Sequence, residues 1–338
     1  MNKMNSKIRF GVIGCSSIAI SSTIPAIKKT NQSILKIIGS RSMKKAKETA
    51  KKFSCELYGS YDEVLERKDV DAVYISLPIG LHEKWVIKSA KAGKHILCEK
   101  SIAVSYKSAT RMVKECKKNF VRIMEGFTFR FHPQHNEVLK IINQNYFGKV
   151  FSFSGNYGFF LPFSNKNFRF SKKLGGGALN DLGCYLICAS RIIFQKKPLL
   201  VMCNLYNNKK NDVDVKGIIY MTYSKNLVAT GIFSYENDFS STYEIWGSKG
   251  LVSLDWAFNI RKGKSAIINL HRRNKTKKIK IKPVNQFELM IKDFCNELMS
   301  RGSLKFNFEN DLINQAQTME AARLSNIKNQ PIYLNEIK

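Results

Sequence analysis

Lys7–Ala19 reads KIRFGVIGCSSIA, a short apolar run entering Gly14, then a polar turn. An unbroken apolar run of this length signals a strand buried on both faces, as in a parallel sheet. An apolar-periodic helix follows through Ile18, Ile24 and Ile27. In such a strand–turn–helix unit, small residues let the chain turn tightly, approach a phosphate and pack helix on strand. Gly14 and Ala19 hold the first and third of those places, and Ser16 holds the second.

Outward from this unit the grammar repeats. Ile34–Gly39 reads as a second strand and Lys44–Phe53 as a Lys-rich helix, with a short helix at Tyr61–Arg67. Val70–Pro78 reads as a third strand, His82–Ala92 as a helix, His95–Cys98 as a strand and Ser105–Lys118 as a helix. Alternation of this kind predicts a right-handed, doubly wound parallel sheet over residues 1–124. Beyond about residue 125 the period becomes two: Phe151, Phe153 and Tyr157 alternate with Ser152, Ser154 and Asn156. Similar strands are expected at Val215–Tyr223, Asn226–Tyr235, Thr242–Trp246 and Gly250–Trp256. Helices are expected at Gly177–Phe194, Asn285–Met299 and Asn310–Asn326. Residues 125–338 thus read as an α+β domain with a large, open, mostly antiparallel sheet. Its outer face is expected to bury against another subunit.

Composition narrows the function. The 338 residues are 44% hydrophobic and 24% charged, which excludes disorder and collagen-like or disulfide-scaffold classes. Lys plus Arg is 56 against 26 for Asp plus Glu, a formal net charge of +30. The excess is spread along the chain with one tight run, Arg272–Lys282, so no specific nucleic-acid groove is expected. The field still favours anionic small molecules. The eight cysteines form no CxxC pair and lie mostly in apolar contexts, which reads as reduced thiols of a cytoplasmic protein. The histidines are scattered and make no metal site. The start MNKMNSKIRF has no signal-peptide stretch, and no membrane span is expected.

Three constellations could carry chemistry. The turn supplies Gly14, Ser16, Ser17 and Ile18 as dinucleotide contacts. The second strand ends in Ser40-Arg41-Ser42 with no carboxylate, and a guanidinium beside hydroxyls suits a ribose 2′-phosphate, so NADP(H) is favoured over NAD(H). The fourth strand ends in Cys98-Glu99-Lys100, at the carboxyl edge where such sheets bind ligands. In the second half, Gly175-Gly176-Gly177 opens a helix on which Asp181 and Tyr185 are four apart, so both project from one face. A satisfied core pair is the competing reading of Asp181 and Tyr185.

Taken in order, GVIGCSSIA, SRSMKKAKETAKKF, VYISLPIGLHEKWVIKSAKAGKHILCEKS, EGFTFRFHPQ, Asn167-Phe-Arg169, GGGALNDLGCY and EIWGSKG resemble the Gfo/Idh/MocA oxidoreductases over most of the chain. The resemblance implies an NAD(P)-binding Rossmann domain, a C-terminal domain with an open sheet, and sheet-mediated oligomers. It implies that Leu77, His82, Glu99 and Lys100 join the cofactor contacts, and that Lys100, Asp181 and Tyr185 are catalytic. Arg169, His132 and Asp181 are then substrate-binding candidates. Two departures stand out: Ser16 replaces the usual second Gly, and Ser101 replaces the Pro after Lys100. The loop, the SR pair and a Tyr rather than His resemble sugar ketoreductases and aldose or dihydrodiol dehydrogenases. The expected reaction is NADP(H)-linked reduction of a keto-sugar, possibly nucleotide-linked. The alternatives are oxidation of a free aldose or trans-dihydrodiol, or a non-catalytic dinucleotide-binding regulator. In the catalytic reading Tyr185 donates the proton, Lys100 polarises the oxygen and tunes the phenol, and Asp181 orients hydroxyls.

Overall fold

The computed structural model describes residues 7–208, 210–261, 263–300 and 306–337. Residues 1–6, part of the stretch read for a signal peptide, lie outside the described residues. The chain forms two compact units. The first runs through Thr128 and takes in Gln286–Ile313, and the second comprises Phe129–Asn285 and the chain from Asn314 onward.

In the first unit, strands β1 (Ile8–Ile13), β2 (Ser33–Gly39), β3 (Leu57–Gly59), β4 (Ala72–Ile75), β5 (His95–Cys98) and β6 (Ile123–Glu125) form one sheet in the order β3-β2-β1-β4-β5-β6. Every pairing is parallel, and the order reverses at β1, the switch point where such sheets bind ligands. Helices α1 (Ile24–Lys29), α2 (Met43–Lys52), α3 (Tyr61–Glu66), α4 (His82–Lys91) and α5 (Tyr106–Lys118) make the crossovers. Local chemistry sets their starts. Ser42 and Ser105 cap α2 and α5, while Ser60 and Glu63 close a reciprocal capping box on α3. Val12, Ile13, Val73, Tyr74, Ile75, Ile96 and Leu97 are fully buried, as a sheet covered on both faces requires.

The second unit begins with α6 (Pro133–Asn143) and β7 (Val150–Gly158), followed by α7 (Cys184–Phe194). Next come β8 (Leu200–Asn208), β9 (Val213–Ser224), β10 (Leu227–Ser234), β11 (Ser240–Gly247), β12 (Gly250–Leu254), β13 (Ala266–Arg272) and β14 (Lys275–Ile281). After α8 (Gln286–Met299) and α9 (Phe308–Lys328), β15 (Ile332–Tyr333) completes a nine-stranded sheet, β14-β13-β12-β11-β7-β10-β9-β8-β15. All its pairings are antiparallel except β7 with β10.

Some elements differ from the sequence reading. Helix α8, counted there with the second domain, packs in the first unit, with Phe294 against Phe10 at 6.2 Å. The basic run Arg272–Lys282 is largely a hairpin, turning at Arg273 and Asn274 with φ of 48° and 60°. Its lysines line the edge strand β14, where charge blocks edge-to-edge pairing. All eight cysteines are buried, and none is in a disulfide. Among the described residues one segment, Lys172–Phe194, is long and apolar enough to cross a membrane, but 83% of its most apolar window is buried inside the protein.

Candidate active site

In the first unit the candidate residues gather at the carboxyl ends of β1, β2, β4 and β5. Gly14 has φ +108°, and a Cβ there would stand 2.4 Å from the Ser76 carbonyl oxygen, so only glycine lets β1 turn this close to β4. Leu77 lines the same approach, 2.8 Å from that position. Ser16 does not fill the space that a second glycine would leave. Its hydroxyl is hydrogen-bonded to that of Ser76 and accepts from the Ala19 N–H at 3.2 Å. Ser17 and Ile18 remain exposed on the turn, and a π-helical turn, Ala19–Thr23, leads into α1. The loop therefore fits a pyrophosphate approaching the backbone.

At the end of β2, Ser40 is buried and its hydroxyl accepts from the Ser42 N–H at 3.2 Å. Arg41 is exposed, and its charge acts on the Tyr61 hydroxyl. Burial pushes the Tyr61 phenol up and the Arg41 charge opposes the shift.

At the end of β5, Glu99 accepts a 2.5 Å hydrogen bond from the Tyr74 hydroxyl, which in turn accepts from Thr23 Oγ1 at 3.1 Å. Burial raises the Glu99 pKa, and the Tyr74 bond and Lys100 charge counter it. Lys100 follows, half-buried, and its peptide bond to Ser101 is cis. His82 is wholly enclosed. Its Nε2 faces the Leu77 carbonyl at 2.8 Å, and its Nδ1 lies 3.1 Å from both the Ser101 and Ile102 carbonyls. It ties the β4 loop to the segment after Lys100, so its position is that of a positioning residue beneath the cofactor contacts.

In the second unit, three glycines bring a helix start onto a carboxylate. Gly177 has φ +120°, and a Cβ there would lie 2.2 Å from Asp214 Oδ1. The Asp214 carboxylate accepts from the Leu179 N–H at 2.6 Å, satisfying a donor at the helix start. Burial raises its pKa to about 6, against the pull of that N–H and of Arg323. A π-helical turn, Leu179–Gly183, precedes α7, as one precedes α1. Such turns recur at functional sites.

Asp181 forms an ion pair with Arg169 (Nε to Oδ2, 2.7 Å), and the Tyr235 hydroxyl donates to the same oxygen at 3.2 Å. Burial works against the Arg169 charge, but Asp181 outweighs it and the guanidinium pKa rises. Burial and the neighbouring Asp181 charge push the Tyr235 phenol well up. Tyr185, half-buried, is ringed by Tyr157 edge-on at 4.9 Å, Phe258 at 5.5 Å and Phe129 at 5.6 Å.

His132 lies beneath the surface of the second unit. It is 1% exposed, caps α6 by accepting the Gln134 N–H, and burial lowers its pKa to about 4. Asp214, Tyr235, Ser76 and Tyr74 escaped the sequence reading. The three glycines signalled an approach, but not the carboxylate that receives it.

Residues 8–127 match the oxidoreductase family with an NAD-binding Rossmann fold, and residues 135–253 match the Gfo/Idh/MocA C-terminal domain. The chain is 30% identical over 316 residues to the dTDP-3,4-didehydro-2,6-dideoxy-alpha-D-glucose 3-reductase of Actinomadura kijaniata, covering 94% of this chain and 95% of that one. The chain belongs to the Gfo/Idh/MocA oxidoreductase family. A D-xylose 1-dehydrogenase (NADP(+)) of Haloferax volcanii is 31% identical over 74% of this chain and 77% of its own. Among solved structures, a 3-ketoreductase from Actinomadura kijaniata in complex with NADP and TDP-benzene superposes with a TM-score of 0.90. That pair shares 29% identity and covers 95% and 98% of the two chains. The family fold agrees with the expected Rossmann sheet plus mostly antiparallel sheet.

Proposed function

We propose that this oxidoreductase uses NADPH to reduce a keto-sugar carried on a nucleoside diphosphate. The observation that carries the reading is end-to-end similarity to a ketoreductase complexed with NADP and TDP-benzene. Arg41 beside Ser40 and Ser42, with no carboxylate at that strand end, suits the 2′-phosphate. Gly14 and the turn after it would hold the pyrophosphate, with Leu77 and Glu99 nearer the nicotinamide half. NADPH, when bound, supplies the hydride.

The chain's own residues manage the proton. A phenol of ordinary pKa, about 10, is a weak acid at neutral pH, and a nearby ammonium stabilises its phenolate. Tyr185 gives its proton to the keto oxygen, and Lys100 polarises that oxygen. Asp181, fixed by Arg169 and Tyr235, orients the sugar hydroxyls. Positioned proton transfer contributes about 10²–10⁴-fold. Tyr185→Phe therefore lowers kcat by about that factor while NADPH affinity holds, and Lys100→Ala lowers it similarly. Near-wild-type turnover of both variants overturns the assignment.

The xylose dehydrogenase relative favours a second reading, oxidation of a free aldose. Turnover of xylose with NADP, without turnover of nucleotide-linked keto-sugars, selects it.

The assembly is a homodimer or homotetramer. On the outer sheet face Ile218, Tyr220, Ile232 and Trp246 are 48%, 41%, 52% and 60% exposed on neighbouring strands, an apolar surface that a second copy would cover. A monomer in sedimentation of the full chain would oppose this. The buried thiols, none of them in a disulfide, fit a reducing cytoplasm.

A further inference from the structure

At one end of the sheet in the second unit, the unit whose helices carry Asp181 and Tyr185, a group of side chains has no role in the chemistry above. Phe239 and Trp256 lie ring to ring at 4.8 Å and 31°, and the Arg261 guanidinium lies over the indole at 5.1 Å. Both rings are open to solvent, Phe239 41% exposed and Trp256 36%.

Three observations place this stack beside the proton donor. First, Tyr243 pairs with Leu254, so the start of β11 and the end of β12 meet at one sheet edge and bring residues 239 and 256 together. Second, the backbone there is pinned. Ala257 N–H donates to the Ser241 carbonyl at 2.6 Å, Phe258 N–H to Ser241 Oγ at 3.1 Å, and the Gln134 amide to the Trp256 carbonyl at 3.2 Å. Third, Phe258, two residues after Trp256, is 2% exposed and packs against Tyr185 at 5.5 Å. Two residues span at most about 7 Å of chain. One short segment thus turns one ring inward against the Tyr185 phenol and another outward into a fixed, exposed stack.

We propose that Phe239, Trp256 and Arg261 form a subsite for the nucleoside diphosphate portion of the substrate. The nucleobase extends the aromatic stack, and the guanidinium meets the diphosphate. Every base has a π-face, so such platforms bind bases, and a guanidinium pairs with phosphate oxygens through several N–H donors. A free aldose has neither a planar ring nor a phosphate. Lys264, also exposed, adds charge, while the carboxylates next to the two rings in sequence are engaged locally: Asp238 accepts from the Phe239 N–H at 2.7 Å and Asp255 from the Asn269 amide at 3.4 Å. The inference rests on the nucleotide-linked reading above and specifies where that reading is exercised.

The test is binding of thymidine 5′-diphosphate, and separately of thymidine, to the full chain saturated with NADP. Trp256→Ala and Phe239→Ala should each weaken thymidine 5′-diphosphate about 10- to 100-fold, and Trp256→Phe should recover most of it. Arg261→Ala should weaken the diphosphate and leave thymidine unchanged. NADP affinity and melting temperature should hold throughout, because the side chains lie outside the core. If the alanine variants bind thymidine 5′-diphosphate like wild type while wild type reduces a nucleotide-linked keto-sugar, the subsite is elsewhere and the functional reading stands. If wild type binds no thymidine 5′-diphosphate, the subsite is overturned. Turnover of free aldose alone then shows that the broader reading has failed with it.

Discussion

Replacing Arg41 with alanine tests the cofactor half of the function with little risk to folding. Arg41 is exposed, two residues past the end of β2, so truncation removes little packing. A charge-assisted hydrogen bond contributes about 1.5–3 kcal/mol. Full exposure and salt screening place Arg41 at the low end of that range. At about 1.4 kcal/mol per factor of ten, the dissociation constant for NADPH rises about 10-fold. NADH, lacking the 2′-phosphate, should bind the variant as it binds wild type. Lys44 and Lys45 follow on the first turn of α2 and retain part of the field, so preference narrows rather than inverts. Tyr61→Phe is an internal control, because the Arg41 charge acts on its hydroxyl, and it should produce a smaller change of the same sign. The assay is quenching of protein fluorescence by each reduced nucleotide at two salt concentrations. An equal loss for both nucleotides, or no loss for NADPH, refutes the reasoning.

Two further outcomes follow from the second unit. Gly177→Ala forces a Cβ to 2.2 Å from Asp214 Oδ1 at φ +120°, so it should destabilise by about 2 kcal/mol or more, read as a drop in melting temperature. An unchanged melting temperature would show that the loop relaxes freely. Stability should also fall with acid. His132 and His135 have pKa values lowered by burial to about 4 and about 3, so from about pH 6.5 downward the unfolded chain binds two protons that the folded chain does not. Asp214, raised to about 6, binds one proton in the folded state below that pH and offsets one of them. The net of one proton gives a slope of about 1.4 kcal/mol per pH unit between pH 6 and 4, lost as pH falls. Lowered pKa values at His82 and His95 act in the same direction. Urea midpoints that stay flat across that window would contradict the assigned burial.

Much of this was legible in the sequence because long, strongly patterned segments report their own environment. The run into Gly14 announced a strand buried on both faces, and alternation at Phe153 and Tyr157 announced a sheet with one open face. Shorter or tertiary features were silent. Strands β3 and β6 have three residues each, too few to show a period. The hairpin β13–β14 read as a charge run because an edge strand needs lysines more than it needs alternation. The parallel pairing of β7 with β10 inside an otherwise antiparallel sheet, and the packing of α8 on β1 through Phe294 and Phe10, are set by contacts between distant residues. At the candidate site, residue types were visible but their partners were not. Asp181 and Arg169 were named separately, and their ion pair could be inferred only once the chain had folded them together. His132 and His82 sat within suggestive motifs whose partners were hidden: the His82 ring faces three backbone carbonyls, whereas His132 meets the Gln134 N–H through Nδ1 and keeps a buried Nε2 with no hydrogen-bond partner.

The Ser16 departure becomes intelligible in the same terms. A serine in place of glycine would obstruct the turn if its hydroxyl pointed outward. Here that hydroxyl bonds Ser76, the Ser76 hydroxyl also contacts Tyr74, and Tyr74 donates to Glu99. The turn after β1 is thereby joined through β4 to the residue preceding Lys100. Tyr74 is fully buried, so leaving its hydroxyl without a partner there would be expensive, while the Ser16 end of the series is half-exposed. Burial favours the protonated form of Glu99, and the phenol donated by Tyr74 favours the ionised one. The serine is therefore one end of a polar series that fixes the strand ends relative to one another, and that series helps set the charge state of the carboxyl beside Lys100.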